Sequence, residues 1–156
     1  MRRVITGLDE QGRSCVISDE IVDTKNGRAK AGLDNGTLSF VWETTDVPPA
    51  IERPRDFTLL QPSSPPGGTK WLVLGWEPNV ERTWVRTNTL DYDTVLEGSC
   101  ELLLETGSVE LFAGDMVMIP GTAHGWRAGP DGVVLQVVLI GLDGDPEPGD
   151  VIVQDV

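Results

Sequence analysis

What most limits the fold of this chain is the spacing of its turn residues. Between Lys70 and Ile140, short apolar and β-branched runs alternate with Gly, Pro and Asp. The runs are Lys70 to Trp76, Thr83 to Thr87, Thr94 to Leu96, Cys100 to Leu104, Ser108 to Phe112, Met116 to Ile119 and Val133 to Ile140. Between them fall Glu97-Gly98, Thr106-Gly107, Ala113-Gly114-Asp115, Pro120-Gly121 and Gly129-Pro130-Asp131-Gly132. Each run is of strand length, and turns at roughly every 8–12 residues are the rhythm of an all-β sandwich or barrel. With 18 Gly and 11 Pro in 156 residues, the composition favours short strands over long helices.

The first half is less regular. It predicts strands at Arg3 to Thr6, Ser14 to Ile17 and Leu38 to Trp42, and a short helical turn within Asp19 to Ala31. Pro48, Pro49, Pro54, Pro62, Pro65 and Pro66, followed by Gly67-Gly68, remove too many backbone donors for a ladder. This stretch reads as an extended arm wrapping the barrel. A linker between two domains is the weaker reading, because the roughly 45 residues before it are too few and too polar to hold a core. The expected organisation is one domain over 1–156: N-terminal strands and Pro-rich arm 1–69, barrel 70–141, tail 142–156. The tail runs through the acidic turn Asp143-Gly144-Asp145-Pro146 to Val151-Ile152-Val153. That last run either pairs with an edge strand, of its own domain or of a neighbouring subunit, or frays.

Charge narrows the partners. Twelve Lys and Arg stand against 25 Asp and Glu, a formal net charge of −13. Such a field repels phosphate backbones and anionic lipid, which sets aside nucleic acid and membrane surfaces. Met1-Arg2-Arg3-Val4-Ile5 passes into Gly7-Leu8-Asp9-Glu10 without an apolar core, so a soluble cytoplasmic protein is expected. Cys15 and Cys100 are far apart and in no metal-binding or redox spacing; they read as reduced packing residues.

Only one histidine exists, His124, which excludes an HExxH zinc site, a two-histidine facial triad and three-histidine zinc. Upstream, Asp91 and Asp93 stand two apart in Thr87-Asn88-Thr89-Leu90-Asp91-Tyr92-Asp93, and a period of two puts both on one face of a regular strand. Facing inward, burial raises at least one carboxyl pKa and suits it to proton transfer near neutral pH. Facing outward, they are ordinary solvated acids.

Gly114-Asp115, four residues, then Pro120-Gly121-Thr122-Ala123-His124 with Trp126 resembles the second motif of the cupin superfamily, G(x)5PxG(x)2H(x)3N. The Gly-to-His spacing is one residue shorter, and Ala128 stands where the motif has Asn. Counting back from Gly98, the first motif, G(x)5HxH(x)3–4E(x)6G, sets its glutamate at Asp91 and its two histidines at Val85 and Thr87. Arg2 to Gly7, Trp42-Glu43-Thr44, Arg86 to Tyr92 and Gly121 to Arg127 are together similar to a subgroup of small single-domain bacterial and fungal cupins. The resemblance covers most of the chain. It implies a double-stranded β-helix, or jelly-roll, cupin barrel with an N-terminal extension, commonly a homodimer, with a small-molecule ligand in its mouth. Cupins run many reactions on one fold, so the resemblance implies a site more than a chemistry. Some related small cupins act on aromatic or polyketide-like acids.

A typical cupin metal has three histidines and a carboxylate. Here the matching positions leave His124, Asp91 and the Thr87 hydroxyl, so no cofactor is expected. A divalent metal on His124 and Asp91, completed by Asp93 or water, is the alternative. The leading expectation is an acid–base enzyme of decarboxylase, isomerase or dehydratase type on a small organic or aromatic acid, with His124 and Asp91 as base and acid. Arg86 or Arg127 would hold the substrate carboxylate, Trp84 and Trp126 would line the pocket, and Thr87 and Gln136 would complete it. The alternatives are a non-catalytic binding barrel, its apolar wall enlarged by Val85, and a metal-dependent enzyme with atypical ligands.

Overall fold

In a computed structural model, residues 2–8, 10–21, 36–44, 47 and 65–143 are described. Among them every regular element is a strand. β1 (Arg2–Leu8) and β2 (Ser14–Ile21) form an antiparallel two-stranded sheet, with a register shift between Ile5 and Thr6. Seven strands make the second sheet: β3 (Gly36–Thr44), β4 (Thr69–Trp76), β5 (Glu81–Val85), β6 (Thr89–Leu104), β7 (Gly107–Phe112), β8 (Met116–Pro120) and β9 (His124–Gly141).

The spine is the antiparallel pair β6 and β9, 16 and 18 residues long. The start of β6 lies between the end of β9 and β8, with β4 and then β3 beyond β9. The end of β6 lies between the start of β9 and β7, with β5 on the far side of β9. The spine therefore belongs to two layers, ordered β3-β4-β9-β6-β8 and β5-β9-β6-β7. They close on a shared core of Leu38, Leu72, Trp76, Val95, Leu102, Leu111, Trp126, Val133, Leu135, Val137 and Leu139. Trp76 of one layer stacks on Trp126 of the other at 6.4 Å between ring centroids. This is the all-β fold expected from the turn spacing, in the jelly-roll form that the resemblance implies.

The spine corrects two of the expected boundaries. Glu97-Gly98 and Gly129 to Gly132 do not separate strands; both lie inside continuous ones. The register slips between Val95 and Glu97 and again between Gly98 and Cys100, and such bulges bend a strand without ending it. Gly98 has φ +72°, and a Cβ there would lie 2.1 Å from the Gly132 carbonyl oxygen, so only glycine fits this corner. The backbone groups freed by the bend are taken by neighbouring turns. Gly114 donates to the Val95 carbonyl at 2.8 Å, Ala113 to that of Gly98 at 3.2 Å, and Val95 to that of Asp115 at 3.0 Å. The opposite bend in β9 is held by Asn79 donating to the Gly129 carbonyl at 3.1 Å and Ala128 to that of Val80 at 2.8 Å.

β5 also begins and ends two residues earlier than the Thr83 to Thr87 run, leaving Arg86 and Thr87 beyond its end. The start of the predicted helical turn, Asp19 to Ile21, is strand. The rest of that turn, most of the Pro-rich arm and Val151-Ile152-Val153 lie outside the described residues.

Candidate functional site

The bend turns one sequence repeat into two facing surfaces. Along the start of β6 the inward residues are Thr89, Asp91, Asp93 and Val95, all buried, while Tyr92 is exposed. Along the start of β9 they are His124, Trp126 and Ala128. Strand alternation sets each row, and the bend brings them opposite one another.

Asp91 pairs in register with Ile119 of β8 and Leu139 of β9, and Asp93 with Val117 and Val137. Both carboxyls thus have apolar register partners on either side, and they are 5% and 4% exposed. Burial, with the Asp91 carboxylate adding to it, pushes the Asp93 carboxyl up to about 8. Its buried Oδ1 has no hydrogen-bond partner, which is costly for a carboxylate and tolerable for a neutral acid. Burial raises Asp91 too, opposed by the Thr89 hydrogen bond and by His124. Two adjacent buried carboxyls do not ionise together, so the pair is held with Asp93 as the protonated member. Thr89 bonds the Asp91 carboxylate and lies 2.8 Å from the Thr87 hydroxyl; its one proton serves one of them at a time.

His124 is 3% exposed. Its Nδ1 lies 2.9 Å from the Thr122 carbonyl oxygen. A carbonyl only accepts, so Nδ1 carries the proton, and in the neutral ring Nε2 keeps the lone pair. The ring meets Trp126 edge-on at 5.9 Å. Cys100, also buried, has its thiol pushed up to about 11 by burial and by Asp93, which keeps it protonated and a poor nucleophile.

The structure thus gathers His124, Asp91, Thr87 and Trp126, with Asp93 and Thr89, around one interior. Arg86, Arg127 and Gln136 are placed elsewhere. Arg86 is exposed and donates from Nε to the Gly121 carbonyl at 3.1 Å, tying down the turn that precedes His124. Arg127, exposed, pairs with Glu81 at 2.8 Å and with Glu101. Gln136 lies on the face of β9 opposite the buried Leu135 and Val137. The side chain of Trp84 lies outside the described residues.

One inward charge escaped the sequence reading. Lys70 is 3% exposed, on the inner face of β4 with Leu72 and Trp76. The signal was present: Lys70 keeps step with Leu72, Leu74 and Trp76, so an inward β4 carries the lysine inward with it.

A transition metal fits these residues poorly. Val85, at one expected ligand position, pairs with His124 in register, and Thr87 offers only a hydroxyl. Among the described residues no three His, Cys, Asp or Glu side chains gather closely enough to hold a metal ion. A divalent ion here would have to complete its shell largely with water.

No family model matches the chain. It is 35% identical over 82 residues to oryzines biosynthesis cluster protein J of Aspergillus oryzae, a match covering 52% of this chain and 46% of that one. It is 28% identical over 152 residues to phomopsin biosynthesis cluster protein C' of Diaporthe leptostromiformis, covering 92% and 79%. A cupin-domain-containing oxidoreductase of Aspergillus ruber is 27% identical over 129 residues, 80% of this chain and 62% of that protein. The chain therefore spans less than half of the first of these relatives and about three-fifths of the last. Among solved structures, the Schizosaccharomyces pombe Cnp3 cupin domain superposes with a TM-score of 0.55 at 9% identity, covering 90% of this chain and 87% of that one. A putative ethanolamine utilization protein Q from Salmonella typhimurium does so with 0.53 at 15%, covering 92% and 98%. Bent spine, paired layers and these likenesses agree: the chain has the fold of the cupin superfamily.

Proposed function

We propose that the protein is an acid–base enzyme acting on a small organic acid, by decarboxylation, isomerisation or dehydration of an activated carbonyl compound. The observation that carries this reading is the buried carboxyl pair, with Asp93 raised to about 8 and one of its oxygens unpartnered, opposite a histidine whose tautomer is set by the Thr122 carbonyl. Structural charges are usually paired or left in water, whereas a neutral buried acid beside an oriented imidazole is suited to moving protons.

In this reading Nε2 of His124 accepts a proton from the substrate, and Asp93, neutral at pH 7, supplies one to the carbon or oxygen where negative charge collects. Asp91, held by Thr89, keeps its neighbour protonated and offsets the charge that develops on the imidazolium. Trp126 and Trp76 supply an apolar wall. The names of the biosynthesis cluster relatives support an enzyme of small-molecule metabolism.

Turnover of a panel of short and aromatic acids tests it. His124→Ala and Asp93→Asn should each lower kcat by about a hundredfold or more. Turnover unchanged in both variants would overturn the assignment, and ligand binding without turnover in the unmodified protein would leave a binding barrel. A second reading, a metal-dependent enzyme with atypical ligands, is favoured by the name cupin-domain-containing oxidoreductase among the relatives. Elemental analysis near one equivalent of Fe, Mn, Ni, Cu or Zn per chain would select it. The homodimer also belongs to the proposal, supported by the exposed outer row Trp71, Tyr92 and Met118; sedimentation of a monomer at all concentrations would remove it.

A further inference from the structure

Any small acid entering this interior brings a negative charge into a layer that already holds two carboxyls. A cation must meet it, and the two arginines expected to do so are poorly placed. Arg127 is exposed and committed to Glu81 and Glu101. The Arg86 Nε is committed to the Gly121 carbonyl, also at the surface. Among the described residues the buried Lys or Arg is Lys70.

Its position is informative. Lys70 of β4 pairs with Leu139 of β9, and Leu139 pairs on its other side with Asp91 of β6. The three therefore form one row across the sheet on the same inner face, with Leu72, Val137 and Asp93 in the next row. Two strand spacings separate Lys70 from Asp91, about 9.6 Å between backbones. A lysine is long enough to close much of that gap. The space between ammonium and carboxyl is bridged by apolar Leu139 and Val137, and Asp93 beside it has an oxygen with no partner in the protein.

We propose that Lys70 is the specificity-determining anchor of the site, its ammonium binding the carboxylate of a short organic acid so that the ligand lies along Leu139 with its reacting carbon against Asp91 and Asp93. Glu43, the register partner of Lys70 on β3, supplies the counter-charge when no acid is bound. Burial pulls the Lys70 ammonium down and Glu43 holds it up. A ligand carboxylate would add to that hold, giving a preference for acids over their neutral amides. The inference rests on the acid-substrate part of the proposed function and goes further by naming the group that selects the acid.

The experiment compares benzoate and crotonate with benzamide and crotonamide by ligand-observed NMR titration. The unmodified protein should bind at least one acid tenfold or more tightly than its amide. Lys70→Met should abolish that preference while leaving amide binding within about twofold, and Lys70→Arg should retain part of it. An acid preference that survives Lys70→Met overturns the inference, as does the absence of any acid preference in the unmodified protein. Should Lys70→Met not fold, the 13Cε resonance of Lys70 in the unmodified protein carries the same test. It should move on titration with the preferred acid and stay with the amide, and a resonance indifferent to saturating acid overturns the assignment. Asp93→Asn separates the two proposals: it should bind acids with the preference intact and turn none over. A Lys70-dependent preference with no turnover in the unmodified protein sinks the proposed enzyme and leaves the anchor standing.

Discussion

The two layers of the barrel treat polarity in opposite ways. In β5-β9-β6-β7 the inward residues Cys100, Leu102, Leu111, Trp126 and Ala128 are apolar, and the outer face carries the row Glu81, Arg127, Glu101, paired in register and by charge. In β3-β4-β9-β6-β8 the inner face includes Lys70, Asp91 and Asp93. Its outer face carries the row Trp71, Val138, Tyr92 and Met118, three of them exposed. The first arrangement is what solvent alone would select. The second sets three charged side chains among its apolar inner residues and leaves large apolar ones in solvent, a partial inversion of the kind natural proteins carry at functional sites. His124 is the exception in the first layer, and it faces the second.

The corner that separates the layers is the place to break the comparison. Gly98→Val forces a β-branched residue into φ +72° and a Cβ onto the Gly132 carbonyl. It should cost more than about 4 kcal/mol or prevent folding, read by urea denaturation and by loss of the dispersed NMR spectrum. Full stability would mean that the bend does not hold the layers together.

Within the conventional layer, Leu102→Ala should cost about 2–5 kcal/mol through the cavity it leaves, equally at every pH. A cost that varied with pH would couple that layer to the carboxyl pair.

In the inverted layer the expected effect is a slope. Asp93 titrates near 4 in the unfolded chain and at about 8 in the folded one, so the folded state holds the extra proton in between. Its contribution is fully present below about pH 4 and is lost as pH rises through 8, by at most about 1.4 kcal/mol per unit. Asp91, raised in the same direction, adds to the loss. Asp93→Asn should flatten the stability profile between those limits, measured by urea midpoints at half-unit steps. An unchanged slope would assign the titration to another group.

The smallest effect belongs to the outer ion pairs. Arg127→Ala should leave the thermal midpoint unchanged within error, because both partners are solvated. A marked fall would mean that this row does more than satisfy solvent.

Much of the barrel was legible in the chain itself. Turn residues between apolar runs announce an all-β fold, and the run from Lys70 to Trp76 matches β4 to within one residue. In the spine the expected boundaries failed at Gly98 and at Gly129 to Gly132, where glycine reads locally as a stop but acts as a hinge inside a paired strand. The neighbouring turns that rescue the freed backbone groups are distant in sequence, so nothing local announces them. Asp91 and Asp93 on one face follow from the period of two. That the face points inward does not, since a one-residue slip would exchange it with the face bearing Tyr92.

By itself, then, the sequence determined the all-β class, the alternation and the thin inventory of one histidine, because each depends on near neighbours or on composition alone. Only the tertiary structure decided that Asp93 is buried without a partner, that Arg86 and Arg127 stay at the surface, and that Lys70 shares a row with Asp91. Those outcomes depend on which strands lie side by side, and that is settled by a bend in β6 and β9 that brings residues more than thirty positions apart onto one interior.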